Sequence, residues 1–207
     1  FINCHDLKSL MEDSYQTISS KQIGEGYYTE KRSKFLAFAH HVETVDEAME
    51  IVAGYHKKYY DARHCCYAYM LGSEHDEFRA NDDGEPSSTA GKPILGQINS
   101  HDLTNILVCV VRYYGGVNLG TGGLIVAYRT AAADAIEHAV IEERLVEETV
   151  TYQFTYPMMN GVMRIVKDMQ PRIVSQSFDN DCTIVLAIRK SKASELKTRL
   201  EHLAFDM

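Results

Sequence analysis

A glycine-rich stretch between two strongly patterned segments constrains the fold of this chain more than any other feature. Residues 105–111 (NILVCVV) are an apolar run rich in β-branched residues, which is typical of a strand buried on both faces. Residues 124–141 are rich in alanine with apolar residues at helical spacing, and Thr121 is the expected N-cap. The stretch 112–128 (RYYGGVNLGTGGLIVAY) therefore joins a buried strand to a helix.

The glycines of this stretch indicate unusual backbone dihedral angles or the close approach of another group. They are Gly115, Gly116, Gly120, Gly122 and Gly123. Because glycine costs backbone entropy, five of them together indicate left-handed dihedrals or the close approach of another group. A helix N-terminus offers unpaired N–H groups and a positive dipole end, so this glycine loop is a candidate anion site that includes Thr121. The alternative is a tight crossover whose glycines only let the helix pack on its sheet.

Three side chains at the exit of the buried strand are further candidates. Arg112 lies at the carboxyl end of that strand, where ligand sites of α/β sheets open, and is a candidate anion contact. The alternative is a salt bridge to an acidic residue of the loop at 81–93. Tyr113 and Tyr114 are candidates for stacking on a base. For them the alternative of half-buried aromatics beside the turn is the stronger one.

The loop at 81–93 (NDDGEPSSTAGKP) is rich in turn-forming residues. Thr89 and Lys92 are candidates for additional phosphate contacts, against the alternative of a solvated turn. The loop also holds three carboxylates: Asp82, Asp83 and Glu85. Carboxylate oxygens suit Mg²⁺, but an Asp-Gly turn needs no metal, and the turn interpretation is favoured.

His64 is expected to support the acidic loop through a hydrogen bond. A zinc site at His64-Cys65-Cys66 is disfavoured, because adjacent strand side chains point to opposite faces and no second ligand pair has zinc spacing. We predict no metal and no cofactor. The chain also lacks the GxxxxGK[ST] sequence of a P-loop and a GxSxG elbow.

The net charge of −8 argues against a uniformly basic nucleic-acid surface. Residues 143–207 contain nine basic and nine acidic side chains, so residues 1–142, with 12 basic and 20 acidic ones, carry all of it. A polyanion would therefore be held by a local site. Five scattered cysteines without a CxxC pair favour a reduced, cytoplasmic protein. No apolar run has the length of a membrane span, and we expect no signal peptide.

Periodicity predicts a succession of short elements on both sides of the glycine loop. The capping box at 44–47 opens a helix that runs to about residue 60. Before the glycine loop, strands are expected at 27–30, 33–42, 64–71 and 77–80, with a short helix at 93–100. After residue 144 the pattern is strand 148–156, helix 157–169, strands 172–177 and 182–189, and helix 192–203. This β-α-β-β-α order is most of a ferredoxin-like split βαβ motif.

Segments 82–93 and 112–128, with HCCYAY at 64–69, resemble the YigZ/IMPACT family, bacterial relatives of the eukaryotic translation regulator IMPACT. The resemblance covers nearly all of residues 20–205. It implies an α+β fold with two domains. The first has the left-handed βαβ topology of ribosomal-protein and elongation-factor G modules, and the second is ferredoxin-like. We expect a helical or irregular N-terminal lead at 1–20, the IMPACT-type domain at 21–144 and the ferredoxin-like domain at 145–207.

Two positions depart from the family pattern. Ser88 stands where the family usually has glycine in GEPSGTAG, and Val126 stands where it usually has arginine in GGLVRAY. The loss of that cation removes one charge-assisted contact from an anion site, worth roughly 1.5–3 kcal/mol where it is used. Arg129, three residues on, is a partial substitute.

These observations lead to one preferred function and two alternatives. The preferred one is a cytoplasmic RNA- or ribosome-associated binding protein in the regulation of translation, with a cleft between the glycine loop and the acidic loop. The first alternative is an enzyme that binds the phosphate of a small molecule or nucleotide at the same loop, with an acidic residue or His64 as base. The second is a module that docks a translation factor.

Overall fold

A computed structural model describes residues 13–179 and 181–204 of the chain. The strands are β1 (Ser14–Ile18), β2 (Gly24–Glu30), β3 (Ser33–His41), β4 (His64–Leu71), β5 (Glu77–Asn81), β6 (Ile106–Tyr113), β7 (Ile141–Leu145), β8 (Glu147–Phe154), β9 (Arg172–Phe178) and β10 (Cys182–Arg189). The helices are α1 (Val45–Lys58), α2 (Gly91–Ser100), α3 (Gly120–Glu137), α4 (Met159–Met169) and α5 (Lys190–Leu203), with a short 3₁₀ turn at Tyr156–Met158. Of the helices in this described part, none is both long and apolar enough to cross a membrane.

The chain divides into two compact units. The N-terminal unit is Tyr15–Arg144, and the C-terminal unit begins at Leu145 and also includes Asp13 and Ser14. The structure is therefore a two-domain α+β fold, as the sequence predicts.

The core of the N-terminal unit is a five-stranded antiparallel sheet of order β2-β3-β6-β4-β5. Strands β3 and β4 each pair with β6, so they run parallel to one another and are joined through α1. Strand β6 lies at the centre, and its residues Ile106 to Val111 are all buried. Its apolar run is therefore a strand covered on both faces.

Alternation along β6 separates two hydrophobic cores. Val108 and Val110 pack with residues of α2 and α3, whereas Leu107, Cys109 and Val111 pack with residues of α1. Since side chains alternate between the faces of a strand, Arg112 belongs to the face that α2 and α3 cover. This face carries the candidate functional site.

The C-terminal unit has a three-stranded antiparallel sheet of order β8-β10-β9. Strands β8 and β9 both pair with β10 and are connected through α4, which is the split βαβ arrangement expected for a ferredoxin-like domain. Its core includes Ile184 and Leu186 of β10, together with Leu196 and Leu200 of α5.

Three local expectations are wrong. Helix α3 begins at Gly120 after Leu119, so Thr121 lies in the first turn and is not the N-cap. Positive φ angles at Gly116 (84°) and Gly120 (71°) turn the chain into the helix two residues earlier than the pattern suggests. The same helix ends at Glu137, and residues 141–145 form β7, which pairs with β1. Strand β1 lies within the segment 1–20 that was expected to be helical or irregular; residues 1–12 of that segment are outside the described residues.

Candidate functional site

The glycine loop and the acidic loop meet at a cavity of about 540 Å³ in the N-terminal unit. Gly84, Glu85 and Pro86 line it from the acidic loop, and residues 118–121 line it from the glycine loop and the first turn of α3. Leu124 of α3 also lines it, and the remaining lining residues come from β4, β6 and their flanks: Arg63, His64, Arg112 and Tyr114.

Strand register places two polar side chains together in this cavity. His64 at the start of β4 pairs directly with Arg112 near the end of β6. Both occupy alternate positions that face α2 and α3, in line with Cys66 on β4 and Val110 on β6. The two strands therefore present a histidine and an arginine where the apolar core gives way to the cavity.

Glu85 is the central acceptor of the site. Its Oε1 accepts hydrogen bonds from Arg112 Nη1 at 2.5 Å and from the Tyr128 hydroxyl at 2.7 Å. The Nε2 atom of His64 lies 3.7 Å from its Oε2. Burial raises the pKa of Tyr128 well above its usual range, so this hydroxyl stays protonated and donates to the carboxylate. The salt-bridge alternative for Arg112 is thus realised, with Glu85 as its partner.

Arg112 keeps hydrogen-bonding capacity beyond this ion pair. The residue is 5% exposed, and its Nε atom has no hydrogen-bond partner among the described residues. The centre of its guanidinium group lies 5.7 Å from the ring centroid of Phe35 and 5.6 Å from that of Tyr114. The two rings hold the guanidinium group in place at the cavity wall.

The N-terminus of α3 opens onto the same cavity without a cap. No side chain of the described residues bonds the amides of its first turn, and residues 119–121 line the cavity. The first backbone N–H groups of a helix have no intrahelical partner and carry the positive end of the dipole. A buried arginine and an uncapped helix N-terminus therefore face one space, which is the arrangement that binds anions.

The carboxylates of Asp82 and Asp83 are used within the fold. Asp82 accepts hydrogen bonds from the amides of Ser88, Ala90 and Gly91 at 2.8, 3.1 and 2.8 Å, and so caps helix α2 from outside its own turn. Asp83 Oδ2 accepts from the amide of Cys65 at 2.7 Å, and its carbonyl oxygen lies 2.7 Å from His64 Nδ1. Across the described part of the chain, no three His, Cys, Asp or Glu side chains are placed to hold a metal ion.

The glycines have different roles. A Cβ atom at Gly115 would lie 2.2 Å from the backbone of Arg32, so that glycine permits a close crossing of the β2–β3 turn. A Cβ at Gly116, Gly120 or Gly122 would meet no atom within 4 Å. The first two have positive φ, but Gly122 does not, and neither packing nor backbone conformation explains it. Gly122 and Gly123 line a neighbouring cavity of about 250 Å³ together with Lys31 and Val126.

Several candidate residues lie outside the main cavity. The hydroxyl of Tyr113 donates to Asp61 at 2.9 Å; desolvation and this carboxylate raise its pKa. Thr89 is buried, and its hydroxyl donates to the carbonyl of Pro86 at 2.6 Å. Lys92 and Arg129 are exposed and are not part of the cavity lining.

Among the lining residues that sequence reasoning missed, two have polar side chains, Arg63 and Asn118. Arg63 comes just before β4, and its amide donates to the carbonyl of Arg112 at 2.9 Å. Asn118 accepts a hydrogen bond from the Tyr114 hydroxyl at 3.3 Å. The basic residues around the aromatic pair Tyr59-Tyr60 could have indicated Arg63 as a site residue. The position of Asn118 depends on the loop conformation, which the sequence pattern does not show.

The sequence profile of the Impact N-terminal domain matches residues 31–136, which contain the whole site. The curated protein IMPACT family member YigZ of Escherichia coli (strain K12) is 31% identical over 172 residues, covering 82% of this chain and 84% of that protein. This chain belongs to the IMPACT family. Another IMPACT family member, YvyE of Bacillus subtilis (strain 168), is 33% identical over 160 residues, covering 77% and 73% of the two chains. A solved crystal structure of a hypothetical protein superposes with a TM-score of 0.72 at 28% identity, covering 91% of both chains.

At one of the two positions that depart from the IMPACT pattern, the structure explains the residue that is usual in the family. Ser88 has a φ of 65°, in the left-handed region that favours glycine, which fits the glycine usual in the family. Val126 is 42% exposed on α3 and lines the smaller cavity with Lys31. Nothing in the structure explains the valine.

Proposed function

We propose that this chain is an RNA- or ribosome-associated binding protein of the cytoplasm that acts in the regulation of translation. In this proposal the cavity between the two loops holds a phosphate group of the RNA. The family resemblance to the translation regulator IMPACT supports the cellular role. The chain has five cysteines, and the four that the structure describes form no disulfide. This is consistent with a reducing compartment.

One observation carries the phosphate site. The uncapped first turn of α3 faces a cavity lined by Arg112, a buried side chain whose Nε has no hydrogen-bond partner among the described residues. Because Glu85 neutralises most of the charge of Arg112, the helix amides and the exposed Arg63 supply the attraction for an anion. The site therefore suits a phosphodiester, which carries a single negative charge.

A charge placed on the helix tests this role without disturbing the core. Thr121→Glu introduces a carboxylate at the cavity, and an acidic residue in the first turn of a helix does not lower helix stability. We expect the dissociation constant for single-stranded RNA to rise about tenfold or more at low salt, with an unchanged melting temperature. Thr130→Glu is the matched control, since Thr130 is an exposed threonine of the same helix, outside the cavity lining.

The comparison of these two variants decides the proposal. Binding that is equally strong in both, or no binding by the unmodified chain at low salt, would contradict it. A shallow dependence of affinity on salt is also expected, because a cleft of this size contacts few phosphates. Cosedimentation with ribosomes, before and after nuclease treatment, separates RNA contact from docking on a protein.

A second candidate function rests on the proximity of His64 and Glu85. Their side chains lie 3.7 Å apart and both line the cavity, so an acid–base pair stands beside the proposed phosphate position. The chain would then be an enzyme acting on a phosphorylated small molecule or nucleotide. Thermal shifts with nucleotides and phosphorylated metabolites, with and without Mg²⁺, test it: stabilisation by one small ligand and its conversion would favour the enzyme.

A further inference from the structure

The segment 57–63 (KKYYDAR), which we call the α1–β4 segment, is basic and aromatic within an acidic domain. It contains Lys57, Lys58 and Arg63 against the single acidic residue Asp61. Arg63 lines the phosphate cavity, so the segment begins at the end of α1 and ends at that cavity. Positive charge of this kind, local and next to an anion site, is what an acidic protein needs to attract a polyanion.

This segment is held firmly on the domain. The ring of Tyr59 stacks on those of Phe38 and Tyr55, with centroid distances of 5.8 and 6.1 Å. Asp61 accepts the hydrogen bond from the Tyr113 hydroxyl. The amide of Arg63 donates to the carbonyl of Arg112, which joins the segment to β6. The loop is therefore a preformed surface.

Tyr60 stands out from this anchored segment. Its side chain is 86% exposed, the highest value among the large hydrophobic side chains that the structure describes. Its side chain makes no hydrogen bond and no ring contact with any described residue, whereas the ring of Tyr59 stacks on two others and Asp61 accepts a hydrogen bond. An exposed tyrosine between anchored neighbours and next to lysines matches the aromatic platforms on which unpaired bases stack.

We propose that the α1–β4 segment binds single-stranded nucleic acid, with a base stacked on Tyr60 and the backbone phosphates running past Lys57, Lys58 and Arg63 toward the cavity. This inference rests on the proposed phosphate site and specifies its ligand as a polynucleotide, not a mononucleotide. A single strand is required because only unpaired bases expose their faces, and every base has one, so little sequence preference is expected.

The absence of tryptophan from the chain makes a direct test possible. Tyr60→Trp introduces the only tryptophan of the protein at the proposed platform. We expect its fluorescence to be quenched and to saturate on addition of a single-stranded RNA of about 12 nucleotides, and not with a duplex of the same sequence. Tyr156→Trp is the control, since Tyr156 is 67% exposed and belongs to the C-terminal unit. Equal quenching in both variants, or quenching in neither, overturns the proposal.

Affinity measurements separate this proposal from the one on which it rests. Tyr60→Ala is expected to weaken binding of the RNA oligonucleotide about tenfold, with Tyr60→Phe close to the unmodified chain. Neither variant should alter binding of adenosine 5′-monophosphate, whereas Thr121→Glu should weaken both ligands. Unchanged oligonucleotide binding in Tyr60→Ala with a loss in Thr121→Glu overturns the stacking platform and supports the phosphate site. Unchanged oligonucleotide binding in Thr121→Glu overturns both.

Discussion

Helices α2 and α3 lie on the same side of the central sheet, but within the described residues only the N-terminus of α2 is capped by a side chain. At α2 the carboxylate of Asp82 accepts hydrogen bonds from the amides of Ala90 and Gly91, so the chain supplies its own anion. At α3 no side chain caps the first turn, and the amides face a cavity with a buried arginine. One helix end is completed by the fold, and the other is open to a ligand from outside.

The same contrast extends to the two loops. The carboxylates of the acidic loop all make contacts within the domain: Asp82 caps α2, Asp83 accepts a hydrogen bond from β4, and Glu85 pairs with Arg112. The glycine loop has few side chains, and Gly122 has no structural explanation. Substitutions in the acidic loop should therefore reduce stability, and substitutions in the glycine loop should reduce binding.

The largest effect is expected where the two loops meet. Arg112→Met removes one partner of a buried ion pair and leaves the charge of Glu85 uncompensated, which should lower the free energy of unfolding by about 3–5 kcal/mol. Urea denaturation measures this loss. Arg63→Met is the control, since it removes an exposed arginine of the same cavity and should change stability by less than about 0.5 kcal/mol. Equal stability of the two variants would mean that the ion pair does not hold the loops together.

A smaller loss of stability is expected at the capped helix. Asp82→Ala deprives three amides of their acceptor and should lower the free energy of unfolding by about 2–3 kcal/mol. Asp82→Asn, which retains one carbonyl oxygen, should recover part of it. Glu50→Ala on the exposed face of α1 controls for the loss of a carboxylate. If Asp82→Ala is as stable as this control, the assignment of Asp82 to the fold is wrong.

Gly122→Ala should separate stability from binding. Gly122 lines the smaller cavity beside the first turn of α3, and a Cβ on a helix points back toward the N-terminus, so an added methyl group would lie next to the first-turn amides that a ligand approaches. We expect about tenfold weaker RNA binding, together with a gain in stability of about 0.5–1 kcal/mol from helix propensity. Gly54→Ala and Gly96→Ala are matched controls, since both are exposed helical glycines with no atom within 4 Å of an added Cβ. These two variants should gain stability and keep full RNA affinity. If Gly122→Ala also keeps full affinity, Gly122 does not serve to leave room for a ligand.

The smallest effect concerns backbone strain in the acidic loop. Ser88→Gly should raise the free energy of unfolding by about 1 kcal/mol, because Ser88 occupies a left-handed conformation. Ser87→Gly, one residue earlier and without positive φ, should lower it by roughly 0.5 kcal/mol. Thermal denaturation of both variants measures the difference, and RNA affinity should not change in either. A loss of stability at both positions would contradict the strain.

Elements with strong periodicity could be predicted from the sequence. The continuous apolar run 105–111 indicated a central strand, and the capping box at 44–47 is realised by Thr44, whose hydroxyl accepts from the amide of Glu47. The start of α3 was predicted two residues late, because a glycine with positive φ begins the helix and leaves no side-chain signal. Strand β7 was missed since its pairing partner β1 lies more than a hundred residues earlier.

The sequence allowed us to predict that the glycine loop and the acidic loop form the candidate site. It did not allow us to predict most of the individual side-chain contacts. The motifs placed Arg112 and Glu85 in the right neighbourhood, and the salt bridge between them was one of the stated alternatives. The role of Asp82 as a distant helix cap, the contribution of Tyr128 and the entry of Arg63 into the cavity depend on tertiary contacts across two strands. No local pattern encodes these contacts.

The most direct test of the open helix end is a heteronuclear NMR titration of the isotope-labelled chain with a short single-stranded RNA. The account predicts that the largest shifts fall on the backbone amides of Gly120, Thr121 and Gly122 and on the Nε–H of Arg112. The amides of Ala90 and Gly91, already bound to Asp82, should stay in place. Shifts that leave the first turn of α3 unchanged and appear elsewhere would contradict it.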